Sequence, residues 1–245
     1  MDPVAVTPAG LVPALRTLAL GEGPQGLRAL FASDIHLRRN MDPDRLLAPL
    51  MKARADLVLL GGDYADDRRQ ALRLFEALRQ LRPALGIYCC IGNNDREAFG
   101  TPEALARAVD RFGGRLLVNE SVSVGSLAIG GLDEYKHGQP RYEGLFRDRG
   151  AYRILLSHYP ILPKAEGDAL PELMLAGHTH GGQFNLLGLT PYAVLFEGRK
   201  KRPALISGTA RFGHMTLLVS KGIGMSRLPL RIGVEPEAHL LLFGA

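Results

Sequence analysis

Apolar residues in this chain come in short runs that end, repeatedly, in glycine, asparagine, aspartate or histidine. Leu27-Arg-Ala-Leu-Phe-Ala32, Leu57-Val-Leu-Leu60, Gly86-Ile-Tyr-Cys-Cys-Ile91, Arg153-Ile-Leu-Leu-Ser157 and Leu173-Met-Leu-Ala176 are short and mostly apolar, the pattern of buried strands. Segments of helical period alternate with the first three. Asp42 to Arg54 opens with an N-cap aspartate and Pro43 at the first helical position. Asp66–Leu81 spaces Leu72, Leu74, Phe75, Leu78 and Leu81 along one helix, with Asp66 read as its N-cap and Asp67 as solvated. Thr101-Pro102-Glu103 starts a helix that runs to about Phe112 and ends at Gly113-Gly114. Val12–Leu20 reads as an edge strand. Residues 116–118, 122–124, 126–130, 204–206, 215–220 and 238–243 read as further strands.

The order is strand-helix-strand in the first half and strand-rich in the second. That predicts a layered α/β fold, and with no repeat or linker in sight, one domain over residues 1–245. Apolar residues make up 46% of the chain and charged residues 22%, which excludes a disordered chain. The net charge of +5 favours anionic partners without choosing among them. Cys89 and Cys90 are sequence neighbours, so on a strand they face opposite ways and do not pair; we read them as reduced core thiols. No apolar run approaches the ~18–20 residues of a membrane span. The proline-broken stretch 1–26 does not resemble a signal peptide. The expected location is cytoplasmic.

The candidate chemistry sits just past the strand ends. On an extended backbone Asp34 and His36 share a face, and so do His178 and His180. Asp63 lies in a glycine-flanked turn where a carboxylate can bridge two cations. Asn93 offers an amide oxygen, and His158 follows another strand. Each motif alone is ordinary turn chemistry. Together they assemble two carboxylates, one amide and four imidazoles, a set that suits Zn²⁺, Mn²⁺ or Fe better than Mg²⁺ or Ca²⁺. The lack of cysteine argues against a purely structural zinc. One tetrahedral ion cannot use all seven side chains; two divalent metal ions sharing a carboxylate can.

Asp34-x-His36, Gly62-Asp63-x-x-Asp66, Gly92-Asn93-Asn94-Asp95, His158 and Gly177-His178-x-His180 resemble, in order, the five motifs of the calcineurin-like metallophosphoesterases. The loop Gly177-His-Thr-His-Gly-Gly-Gln183, the stretch Gly131-Leu-Asp-Glu-Tyr135 and the late Ser220–Arg231 segment resemble its small bacterial branch, the YkuE- and YaeI-like proteins. The resemblance implies a four-layer αββα sandwich with mixed sheets and a dinuclear metal site. It implies that Asp34, His36, Asp63 and His180 hold one metal, and Asp63, Asn93, His158 and His178 the other. It also implies that a hydroxide held between the metals attacks phosphorus in a phosphodiester or pyrophosphate.

One position departs from the family. Its third motif usually carries histidine where this chain has Asn94. An amide can hydrogen-bond a phosphoryl oxygen but cannot protonate a leaving group. With Asp63, Asn94 is therefore the expected catalytic residue, and the expected substrates are those with leaving groups that need no proton. The enzyme that cleaves UDP-2,3-diacylglucosamine resembles this pattern, so the expected partner is a phosphorylated small molecule or a lipid-linked substrate. Arg38, beside Arg39, can reach a substrate phosphate. The basic run Arg199-Lys-Lys-Arg202 can touch anionic lipid at a membrane surface. Loops 181–201 and 208–213 are expected to shape the cleft, and His214 is read as a loop histidine. No aromatic run interleaves with basic residues, which argues against nucleic acid. The competing reading is a metal-bound scaffold without catalysis, in which Asn94 marks lost activity.

Overall fold

The computed structural model describes residues 6–8, 12–148, 150–185, 203–226 and 228–245. The strands are β1 (Val6–Pro8), β2 (Ala14–Leu20), β3 (Arg28–Ala32), β4 (Leu57–Leu60), β5 (Ile87–Cys89), β6 (Gly114–Leu116), β7 (Glu120–Val124), β8 (Leu127–Gly131), β9 (Tyr152–Ser157), β10 (Leu173–Ala176), β11 (Gly208–Phe212), β12 (Met215–Val219), β13 (Leu230–Ile232) and β14 (Glu237–Phe243). The helices are α1 (Pro43–Met51), α2 (Arg68–Leu78), α3 (Asn93–Phe99) and α4 (Pro102–Arg111).

Two six-stranded sheets carry the fold, in the orders β2-β14-β3-β4-β5-β6 and β11-β12-β10-β9-β8-β7. Both are mixed. In the first, β3 to β6 run parallel while β14 is antiparallel to β3. In the second, β8, β9, β10 and β12 run parallel between antiparallel edge strands. The α/β sandwich of mixed sheets agrees with the sequence expectation. β2 is an edge strand, also as expected.

Strand alternation explains the layering. Leu57 and Leu59 point into the space between the sheets, where they meet Ile129, Ile154, Leu156, Leu173 and Leu175. Val58 and Leu60 point the other way, towards Leu47, Leu74, Leu78 and Val109 of the helices. Cys89 and Cys90 follow the same rule. Both are buried and free, and they lie in different cores. All four helices cover the first sheet. Over the outer face of the second, Tyr142, Phe146, Leu162 and Leu170 pack on Leu155, Met174 and Leu217, and among the described residues that layer holds no α-helix.

Local chemistry sets the helix starts. Asp42 accepts from the Asp44 N–H, and Thr101 from the Ala104 N–H, each followed by proline at the first helical position. The N-cap of α2 is Asp67, which accepts from the Gln70 N–H, and not Asp66. Asp66 is drawn off by Arg38 and His36. Three more expectations are corrected. Residues 204–206 form no strand, whereas 208–212, expected as a cleft loop, is β11, hairpinned onto β12. The Gly92-Asn93-Asn94 motif is not a plain strand-end loop but the start of α3. The basic run 199–202 and most of the expected cleft loop 181–201 lie outside the described residues. Among the described residues no helix is long and apolar enough to cross a membrane.

Candidate metal centre

The carboxyl ends of β3, β4 and β5 meet those of β9 and β10 at one edge of the sandwich, where ligands gather in α/β sheets. Two turns lace side by side there: the Asp34 N–H donates to Gly62 O and the His36 N–H to Asp63 O. The second sheet is tied in by Ile223 and Gly224, which donate to the carbonyls of Ser33 and Asp34. Asp34, His36, Asp63, His178 and His180 all have left-handed backbones, with φ of 48°, 42°, 56°, 68° and 52°. Such residues cost roughly 1 kcal/mol or more each, and persist where the surroundings over-determine them. Gly177 is one such determinant, since a Cβ there would overlap the Asp34 carboxylate and Ser33 Oγ.

The left-handed turns, and not an extended backbone, bring these side chains together. The two-residue spacing of His178 and His180 also does not aim them at one point. His180 Nε2 stands 3.5 Å from Asp34 Oδ1, with its ring centroid 5.0 Å from that of His36. His178 Nδ1 stands 3.2 Å from His158 Nε2. Asp63 Oδ2 lies between the two halves, 3.5 Å from His36 Nε2 and 3.4 Å from His158 Nε2. Ligand atoms of Asp34, His36 and His180 lie within 4.8 Å of one another, as do those of Asp34, Asp63 and His158. Asn93 joins through neighbours: its Nδ2 donates to Asn94 Oδ1, and the Asn94 N–H donates to Asp63 Oδ1. Arg38 does not face the cluster freely. Its guanidinium holds Asp66 at 3.1 Å and donates to the carbonyls of Met225 and Ser226.

These distances can be tested against a cation. Two ligands about 2.1 Å from a tetrahedral ion lie about 3.4 Å apart. The imidazole–carboxylate gaps of 3.4–3.5 Å match that and are too long for hydrogen bonds. His36 Nε2 is buried with no hydrogen-bond partner, an orphan that a cation would satisfy. The residues fit divalent metal ions.

Charge in the pocket is shared unevenly. Burial opposes ionisation of Asp63, but His158 and His36 hold its carboxyl far below the usual range. Burial pushes the Asp34 carboxyl up, against the pull of His158. For His158 itself burial is outweighed by the carboxylates of Asp63 and Asp34, and its imidazole is pushed up to about 10. Burial and then the neighbouring His158 hold His178 down at about 3; burial, His36 and Arg231 hold His180 well below the usual imidazole value. Both shifts disfavour the imidazolium of His178 and His180, and an imidazole binds a metal in its neutral form.

Two supporting residues escaped the sequence reading. Asp95 is buried and accepts from the backbone N–H groups of Asp63, Gly92 and Tyr64, at 2.7, 2.8 and 2.9 Å. Its spacing three residues after Gly92, a helix N3 position, was the available signal. Arg231 is fully buried, caps the carbonyls of Gly222 and Gly224, and brings Nη2 to 3.4 Å from His180 Nδ1. An arginine inside Leu228-Pro-Leu-Arg-Ile232 gives little hint of that contact. His214 lies at the opposite end of β12, bonded to Leu170 O, away from the cluster.

The sequence model of the family described as calcineurin-like phosphoesterase matches residues 27–182, from β3 through the double-histidine turn. The class is thus that of the metallophosphoesterases, hydrolases that act on phosphoric esters. More narrowly, the chain belongs to the calcineurin-like phosphoesterase family. It is 29% identical over 224 residues to the uncharacterized metallophosphoesterase YkoQ of Bacillus subtilis, covering 86% of this chain and 81% of that one. It is 30% identical over 240 residues to YkuE of the same organism, covering 91% and 81%. It is 27% identical over 227 residues to the phosphodiesterase YaeI of Escherichia coli, covering 87% and 81%. Among solved structures, TT1561 of Thermus thermophilus shares the fold, with a TM-score of 0.50 at 13% identity, covering 81% of this chain and 90% of that one.

Proposed function

We infer that this protein hydrolyses a phosphodiester or pyrophosphate bond at a dinuclear centre. Asp34, His36, Asp63 and His180 hold one cation, and Asp63, Asn93, His158 and His178 the other. The observation that carries the reading is Asp63 Oδ2, set 3.5 and 3.4 Å from imidazole nitrogens of both halves, as a shared ligand requires. The donor set favours Zn²⁺, Mn²⁺ or Fe. When bound, such ions acidify water and stabilise charge on a phosphoryl group. Residues 1–245 act as one domain in this reading, since β14 near the C-terminus sits inside the first sheet.

The chain's own groups supply the rest. Asn94 is half-buried beside the cluster, with Nδ2 3.2 Å from His36 Nδ1. It can donate to a phosphoryl oxygen and orient the substrate. It has no proton to give a departing alkoxide. The reading therefore assigns leaving groups that depart unprotonated: the phosphate of an anhydride or an aryl oxide.

The test pairs metal analysis with turnover. Purified protein should bind two equivalents of Mn²⁺ and hydrolyse bis-(p-nitrophenyl) phosphate, and Asp63→Ala should abolish turnover and lose at least one equivalent. A single ion at saturation, or an active Asp63→Ala variant, overturns the dinuclear reading.

A further inference from the structure

Next to the metal cluster stands an aromatic wall that hydrolysis itself does not use. The Tyr159 ring lies against that of His178, with centroids 3.8 Å apart and planes tilted by 30°. Tyr135 stands beside Tyr159, with ring centroids 5.7 Å apart and planes at 57°, so the two rings form an angled corner. Both tyrosines are half-buried, so each keeps open surface. Tyr159 is pinned by its hydroxyl, which donates to Asn93 Oδ1 at 3.1 Å.

The loop that presents Tyr135 is built at some expense. Glu134 is fully buried, and its carboxylate accepts from the N–H groups of Lys136 and His137 at 2.5 and 2.8 Å. Asp133 accepts from the N–H groups of Glu134 and Gln139, both at 2.9 Å, and its own N–H donates to Asn119 Oδ1. Arg96 closes the loop from below, paired with Asp133 and 3.1 Å from Glu134 Oε1. Buried carboxylates are costly unless fully paired, and here the pairing fixes one loop conformation. Arg96 also projects from α3, the helix that starts with Asn93 and Asn94. One helix thus registers Tyr135 against the reacting end of the site. Rigid, preorganised aromatic faces are what recognition of a flat ring requires.

We propose that Tyr135 and Tyr159 form a ledge that binds a planar aromatic ring carried by the phosphoryl group, so that the substrate is a nucleoside or aryl ester or anhydride. This rests on the hydrolase reading above. Tyr135 is the specificity-determining residue. Arg96, Asp133 and Glu134 are positioning residues that act through it.

The test uses three diphosphate esters that share a ring-free leaving group, inorganic phosphate: thymidine 5′-diphosphate, phenyl diphosphate and methyl diphosphate. The readout is the kcat/KM of each ring-bearing ester relative to the methyl ester, compared between wild type and variants. Tyr135→Ala should lower that ratio at least about fivefold through KM, and Tyr135→Phe should keep it. A loss confined to the thymidine ester assigns a nucleoside, and a loss confined to the phenyl ester assigns an aryl group. An unchanged ratio for both overturns the ledge. Thymidine 5′-phosphate and methyl phosphate, used as product inhibitors of the wild-type enzyme, give a check that needs no variant; equal inhibition constants overturn it as well. If the wild type hydrolyses neither these esters nor bis-(p-nitrophenyl) phosphate, the hydrolase reading itself fails, an outcome distinct from failure of the ledge alone.

Discussion

Replacing Asp95 with asparagine tests how the metal turn is held. Asp95 Oδ2 accepts from the N–H groups of Asp63 and Gly92, and Oδ1 accepts from that of Tyr64. An asparagine retains one oxygen, which can keep the first pair of bonds. Its amide NH₂ then meets the Tyr64 N–H donor to donor. One buried N–H left without an acceptor costs about 1–3 kcal/mol. Part of that is offset, because burial and the Asp63 charge already push the Asp95 carboxyl up to about 7 and the amide removes that conflict. The net loss should be about 1–2 kcal/mol. With a urea m-value of about 3 kcal/mol/M for a chain of this size, the midpoint falls by roughly 0.3–0.7 M. The measurement is urea unfolding by circular dichroism in chelator, so that metal does not mask the effect. The turn carrying Asp63 loses its tie as well, so Mn²⁺ affinity should weaken roughly 10-fold or more. A variant with an unchanged midpoint and unchanged Mn²⁺ affinity would refute the argument.

Other substitutions separate the remaining terms. Gly177→Ala places a methyl on the Asp34 carboxylate and Ser33 Oγ; overpacking should cost about 1–3 kcal/mol and lower metal occupancy, and wild-type occupancy by elemental analysis would contradict the steric account. Glu237 is buried, yet His239 and Lys221 hold its carboxyl down at about 2. Its unfolded value is about 4.3, so its contribution is complete above that pH and drains away as pH falls towards 2. At about 1.4 kcal/mol per unit it supplies at most about 3 kcal/mol. Glu237→Gln should therefore flatten the acid limb of the stability curve, and a parallel curve in acid titration would reject the assignment. Asn94→His returns a proton donor to the site and should raise the alkyl-to-aryl rate ratio on phosphodiesters roughly 10²-fold, whereas an unmoved ratio would remove the leaving-group argument.

Much of the layering could be read directly because buried strands advertise themselves. Leu57–Leu60 is apolar on both faces since it is covered on both, and Cys89 and Cys90 divide between two cores by simple alternation. The site was legible as composition more than as geometry. Each motif follows a strand, but its convergence comes from left-handed turns at Asp34, His36, Asp63, His178 and His180 that no local propensity dictates. What stayed hidden depends on distant partners. Helix α3 begins in turn-forming residues and is fixed by Asp95 folding back on Gly92. β11 is short and half polar, and exists because β12 offers it an edge. Asp66 looks like a cap until Arg38, itself tied to the carbonyls of Met225 and Ser226, is seen holding it.

β14 slots between β2 and β3, its Leu240 beside Leu30 and its Leu241 beside Ala29. Until residues 237–243 arrive, β3 exposes a bare row of amides and carbonyls immediately upstream of Asp34. Such pairing across nearly the whole chain closes late and slowly. A nascent or partly opened molecule will thus show a sticky edge at its future centre of chemistry, and chaperone capture or intermolecular strand exchange should begin there rather than among the early helices.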